Sequence, residues 1–287
     1  MMEQWAFSLT GTTKQYPGFT FGPVELALPR GTVMGLVGAN GAGKTTLIRL
    51  LLGLTRSDSG ETILLDSSPE NAETHEKVGV VFDECPYPEL FTPIQIGNIL
   101  AGMYGLWQPE RFQALLGRMN LPLNKPVKEF SRGMKMKLSI AAALSHGAEL
   151  LLLDEPTGGL DPLVREEILD LFREFMLDEH HSILLSSHIT SDLEKISDQV
   201  AFLHKGRLLL TAEKDQLLEE YGILKGRRQQ LEGLDEHLLT GLRTGSFGFE
   251  ALVKDRRGFQ QAYPELTVDA PTLEDVMAFV VREADQP

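Results

Sequence analysis

The stretch Val33-Met34-Gly35-Leu36-Val37-Gly38-Ala39-Asn40-Gly41-Ala42-Gly43-Lys44-Thr45-Thr46 decides how the rest of the chain is read. Its first five residues are an apolar run that suits a buried strand, and helical spacing begins near Thr45. Between the two lies the pattern G-x-x-x-x-G-K-T, Gly38 to Thr45. Gly38, Gly41 and Gly43 allow the backbone around Asn40 to curl until successive N–H groups face a chain of phosphates, and the start of the helix adds its positive end. Lys44 reaches the β and γ oxygens of a nucleoside triphosphate, Thr45 can ligate Mg²⁺, and Thr46 extends the polar run. A strand before the loop and a helix after it are the context this pattern needs, so a triphosphate site is favoured over an ordinary glycine turn.

Outward from this loop, short apolar runs at 78–82, 150–153 and 183–186 alternate with helical spacing at 93–105, 109–119, 134–147, 162–179 and 190–197. Runs apolar on both faces suit parallel strands covered on both sides. Thr92-Pro93 and Asp161-Pro162 each set a capping side chain before a proline at the first helical position, and Ser191 with Glu194 reads as a capping box. The alternation predicts an α/β fold with a mainly parallel sheet. Residues 5–29 are strand-like and predict an antiparallel β flank, whereas 84–147 predict a helical subdomain inserted between core strands. Residues 200–204, the turn Lys205-Gly206 and 207–211 predict a hairpin on the sheet edge. One domain is expected over 1–211. Residues 212–287 form a small C-terminal extension: a polar helix near 213–221, a Gly- and charge-rich stretch, and a last helix near 272–283.

A chain of 287 residues can bury a full core without disulfides. With 27 basic against 41 acidic side chains the net charge is -14, a field that repels phosphate backbones, so no nucleic-acid partner is expected. Both 1–211 and 212–287 share the acidic excess. The single cysteine, Cys85, cannot form an internal bridge, and no basic segment followed by an apolar stretch opens the chain, so a cytoplasmic location is expected. Apolar runs fall far short of the roughly 20 residues of a spanning helix, which leaves a peripheral role at a membrane as the most intimate one.

Two further stretches carry chemistry. Leu150 to Leu153 runs into Asp154-Glu155, where alternation points the two carboxylates in opposite directions. Asp154 can hold Mg²⁺ through water, and Glu155 can orient and deprotonate an attacking water. Alone, such a pair is commonplace at strand ends; with a phosphate loop upstream it is functional. Phe130-Ser131-Arg132-Gly133-Met134 precedes a helix about 20 residues before that pair, with Ser131 as its cap. No N-K-x-D run is present, which weakens a guanine-specific reading.

Together these residues resemble the nucleotide-binding subunits of ABC transporters. The resemblance rests on the Walker A loop Gly38–Thr45, a signature loop at Phe130–Met134, the Walker B pair Asp154-Glu155, Gly159-Leu160-Asp161 as D-loop, and His188 after the strand at 183–187. It covers most of residues 1–211. It implies a P-loop NTPase core of ABC ATPase type, with Tyr16 stacking on adenine, His188 contacting the γ-phosphate, Lys44, Glu155 and His188 in catalysis, and Mg-ATP as the bound species. It also implies two ATPase subunits head to tail, identical or not, with Ser131, Gly133 and Asp161 serving the contact and the partner's ATP. Membrane-spanning subunits would complete the assembly, with this chain peripheral on the inner face of the cell membrane and 83–91 bordering the groove that receives a short helix of those subunits.

Pro271-Thr272-Leu273-Glu274-Asp275-Val276 resembles an ending common among ABC-2 exporters, which favours export. A soluble ABC ATPase in cofactor assembly is the competing expectation. Three positions depart from the family pattern. Asp83 or Glu84 stands where a glutamine usually approaches Mg²⁺, Arg132 and Met134 replace glycine and glutamine in the signature, and Gly158 replaces a serine.

Overall fold

The computed structural model describes residues 5–245 and 248–285. Two long strands, β1 (Trp5–Tyr16) and β2 (Phe19–Pro29), lead into β3 (Val33–Val37), α1 (Lys44–Leu51), β4 (Ser59–Leu64), the short α2 (Ala72–His75) and β5 (Val78–Val81). A helical arm follows, with α3 (Pro93–Ala101), α4 (Pro109–Arg118) and α5 (Arg132–Ala143). The chain returns to β6 (Leu150–Asp154), α6 (Pro162–Phe175), β7 (Ser182–Ser187), α7 (Thr190–Ile196), β8 (Gln199–His204) and β9 (Arg207–Glu213). Last come α8 (Lys214–Glu220), β10 (Gly222–Gly226), β11 (Leu239–Thr244), β12 (Phe249–Val253), α9 (Arg256–Ala262), β13 (Val268–Asp269) and α10 (Leu273–Ala284).

The central sheet runs β5-β6-β7-β3-β8-β9, parallel except for the edge strand β9. Its inner strands are apolar throughout because both faces are covered. Leu150 and Leu152 enter a core with Phe7, Leu28, Leu47 and Leu51, while Leu151 and Leu153 enter another with Ile140, Phe172 and Leu193. The four-leucine run is thus two alternating pairs, each serving one face. The order β6-β7-β3 brings the carboxyl ends of three strands side by side, where ligands of open α/β sheets collect.

The expected antiparallel flank is present and gains a third strand, in the order β2-β1-β4, with Phe7 opposite both Leu28 and Leu64. The sequence pattern missed β4 because its first three residues face solvent and break apolar alternation. The edge hairpin forms as expected, through the two-residue turn Lys205-Gly206, whose φ angles are 46° and 79°.

Thr92 and Gln95 form a reciprocal capping box at α3, and Asp161 accepts from Leu163 and Val164 N–H at α6. The capping box expected at Ser191 is not formed. α7 begins two residues earlier than that cap would set it, with Ile189 at the cap, because Ser187 Oγ accepts the Ile189 N–H at 2.9 Å and turns the chain there. Glu194 instead accepts the Leu273 N–H at 2.7 Å, at the start of α10.

The Gly- and charge-rich stretch after residue 221 contains an antiparallel sheet, β11-β12-β10-β13, with Leu224, Phe249, Ala251, Val253 and Val268 in its own small core. α10 starts at a capping box of Thr272 and Asp275. It sends Leu273, Val276 and Phe279 into the core that also holds Leu193 and Phe202. No helix among the described residues is long and apolar enough to cross a membrane.

Candidate active site

The phosphate loop leaves β3 at Gly38, where a Cβ would stand 2.5 Å from Leu203 carbonyl oxygen, so only glycine allows the loop to lie on β8. Gly41 and Gly43 take φ of 78° and 111°, left-handed values that turn the loop into α1. Gly43 is the cap of α1 and offers no side chain, leaving the first N–H groups of the helix free of a side-chain acceptor. A cleft of about 610 Å³ opens there, lined by the loop from Asn40 through Lys44 to Thr46 and by Asp83, Asp154 and Glu155 from the ends of β5 and β6.

Lys44 is buried, 6% exposed. Its Nζ donates to Gly38 O at 2.7 Å and Ala39 O at 3.3 Å and stands 3.0 Å from Glu155 Oε1. Thr45 Oγ1 donates to Asp154 Oδ2 at 2.6 Å, and Ser186 Oγ donates to Asp154 Oδ1 at 2.6 Å. Glu155 has φ of 53° and leaves the strand by this turn, its N–H held by Ser186 O at 3.1 Å. Its Oε2 accepts the His188 N–H at 3.2 Å and lies 2.6 Å from His188 Nδ1. The two carboxylates therefore diverge as expected: Asp154 toward Thr45, Glu155 toward Lys44 and His188.

Asp83 follows β5, borders the cleft, and accepts from Arg132. Phe19, which the sequence did not single out, also lines the cleft. Tyr16 is not among the lining residues; its side chain is exposed, with its ring centre 6.3 Å from that of Phe19 in the same hairpin. Ser131 caps α5 by accepting the Met134 N–H at 3.3 Å, Gly133 faces Leu160, and Asp161 caps α6. None of these three lines the cleft of its own chain. Ser186 was also unforeseen, although a hydroxyl inside a wholly buried strand is itself a signal.

A glycine cradle at a helix start, with a buried lysine, a threonine–aspartate pair and a glutamate–histidine pair, defines a P-loop nucleoside triphosphatase. Mg²⁺ suits the donor set. Thr45 and Asp154 offer two hard oxygens side by side, the ligand type this ion takes when it shares its shell with phosphates and water.

Residues 21–158 match the family model described as ABC transporter. The chain is 34% identical over 194 residues to the lantibiotic transport ATP-binding protein SrtF of Streptococcus pyogenes, covering 67% of this chain and 83% of that protein. It is 33% identical over 214 residues to the bacitracin transport ATP-binding protein BcrA of Enterococcus faecalis, covering 73% and 70%. Among solved structures, an ATP-binding subunit of an ABC transporter superposes with a TM-score of 0.67 at 26% identity, over 79% of this chain and 93% of that one. The chain belongs to the ATP-binding subunits of ABC transporters, and its activity is that of an ATPase.

Proposed function

We propose that this chain energises export through separate membrane-spanning subunits, by Mg-ATP-driven closure of a head-to-tail pair of ATPase subunits at the inner face of the cell membrane. The observation that carries the reading is the meeting of Lys44, Thr45, Asp154 and Glu155 in one cleft at the carboxyl ends of adjacent parallel strands. The kinship to antibiotic-peptide transport proteins supports export and makes an amphiphilic peptide the first substrate class to assay. Ser131, Gly133 and Asp161 lie outside their own cleft, which fits service to a partner's ATP. Leu90, Ile94, Ile99 and Met103 leave apolar surface exposed on the helical arm, which suits docking to membrane subunits.

The chemistry assigned to the chain's own groups is simple. Loop N–H groups and Lys44 hold the phosphates, and Thr45 and Asp154 would hold Mg²⁺, which would neutralise phosphate charge. Glu155 takes the proton of the attacking water, and His188 fixes the glutamate through Oε2. Glu155 and the triphosphate compete for Lys44 Nζ, so substrate binding frees Glu155 Oε1 for water.

Glu155→Gln keeps the shape and removes the base. Hydrolysis is expected to slow by about 10²- to 10⁴-fold while ATP binding persists and an ATP-closed dimer accumulates. Steady-state phosphate release and sedimentation with Mg-ATP measure both. Undiminished turnover would remove Glu155 from the role of base.

A further inference from the structure

Two of the departures noted in the sequence meet in space. Arg132, where the family signature has glycine, donates through Nη2 to Oδ1 of Asp83, one of the two acids at the place where the family has glutamine. The same guanidinium lies over the turn after β6. A Cβ on Gly159 would stand 3.1 Å from Arg132 Nη1, and one on Gly158 would stand 3.7 Å from Nη2. One side chain thus spans the loop after β5, the start of α5 and the turn that leads to α6.

The charges give this contact a purpose. Among the described residues, the cleft is lined by the carboxylates of Asp83, Asp154 and Glu155 against the single ammonium of Lys44. Such a lining opposes a polyphosphate until cations, Mg²⁺ first among them, offset it, and the charge at Asp83 is felt by any ligand that fills the cleft. Arg132 pairs with Asp83, one of these three carboxylates, and does so from between Ser131 and Gly133.

We propose that the Asp83–Arg132 pair is a positioning latch. It ties the nucleotide cleft of one chain to that chain's signature turn, so that filling the cleft orients Ser131 and Gly133 toward the opposing one. The inference rests on the head-to-tail pairing proposed above. Neither side chain needs to touch a reacting atom: a change in the charge facing Asp83 changes its hold on Arg132, and Arg132 is the first residue of α5. Both side chains are about half exposed, 53% for Arg132 and 50% for Asp83, so the pair adds little to folding and its loss registers in coupling between sites.

A double-mutant cycle on the full chain tests the latch, with Asp83→Gln, Arg132→Gly and both together. ATP-dependent dimerisation is measured by sedimentation in the Glu155→Gln background, and the Hill coefficient of hydrolysis with Glu155 intact. Each single change is expected to weaken dimerisation by about two- to thirtyfold, the effect of losing two exposed pairs per dimer, and to lower the Hill coefficient. The double variant is expected to be no worse than the weaker single one, and Arg132→Lys to recover part of the loss. Single effects that multiply in the double variant, with an ATP-dependent dimer still formed, overturn the latch and leave the pairing intact. Absence of any ATP-dependent dimer with both residues in place overturns the pairing and the latch together. As a second readout, added salt should lower the Hill coefficient of the unaltered enzyme and leave that of the double variant unchanged; equal sensitivity counts against the latch.

Discussion

Lys44 stands between loop carbonyls and Glu155, so its loss removes the cation that both a triphosphate and the glutamate require. Lys44→Ala is expected to weaken ATP binding by tenfold or more, roughly the worth of a buried charge-assisted contact, as read by titration with a fluorescent ATP analogue. Ser186 acts one step further out, orienting Asp154 from the opposite side to Thr45. Ser186→Ala should raise the Mg²⁺ concentration for half-maximal hydrolysis by about tenfold, the usual cost of losing a hydrogen bond that orients a metal-binding carboxylate. The two cases differ in legibility. That Lys44, Thr45, Asp154 and Glu155 meet in one cleft could be read from the chain, because the phosphate loop fixes a local pattern and gives meaning to an acidic strand end that alone would be commonplace. Ser186 and Phe19 could not, because they gain their roles from pairing between distant strands: Ser186 lies beside Asp154 in the sheet, and Phe19 meets Gly43 across the loop.

Among elements, the β8–β9 hairpin transmits support to the phosphate loop. Gly206 N–H donates to Ala42 O at 2.8 Å, and the neighbouring Lys205 Nζ and His204 Nε2 lie 2.7 Å and 3.0 Å from Asp285 Oδ1 at the end of α10. Asp285→Ala should raise KM for ATP a few-fold with a smaller change in kcat, since it loosens the support of the loop and leaves Glu155 and His188 in place. Kinetics over a range of ATP concentrations separate the two parameters. His146 reports on the joint between the helical arm and the sheet. It is buried, stacked 4.3 Å from Tyr104, with Nδ1 3.0 Å from Glu76 O. Burial holds its pKa below the ordinary 6.5, so the folded chain resists a proton that the unfolded chain accepts. Stability is therefore full above about pH 6.5 and falls as pH drops from there toward the folded value. Urea unfolding at pH 7.5 and pH 5.5 should differ less in His146→Gln than in the parent chain. Strands buried on both faces were legible as apolar runs. β4, with an exposed first half, and β10 to β13, short and set among polar turns, carried too little periodicity to stand out.

On the scale of the molecule, the extension beyond residue 211 is bound into the ATPase core through α10, which packs against α7, β9, β11 and β12. Leu273 and Val276 are fully buried and Phe279 is 2% exposed. At about 1.5–3 kcal/mol for each such side chain, removing α10 costs about 5–9 kcal/mol, comparable with the whole stability of an ordinary domain. A chain ending at Asp269 should lose its cooperative thermal transition and most nucleotide binding, as calorimetry would record. The acidic, Gly- and charge-rich character of the C-terminal part gave no hint of this dependence, because the apolar stripe of α10 looks the same whether it serves its own small sheet or a distant core. The placement of α10 also sets a timetable for biosynthesis. The segment that grips phosphate leaves the ribosome well before α10, so the surfaces that hold it steady stay incomplete until that helix has been made, and until then a nascent chain offers chaperones a hydrophobic seam.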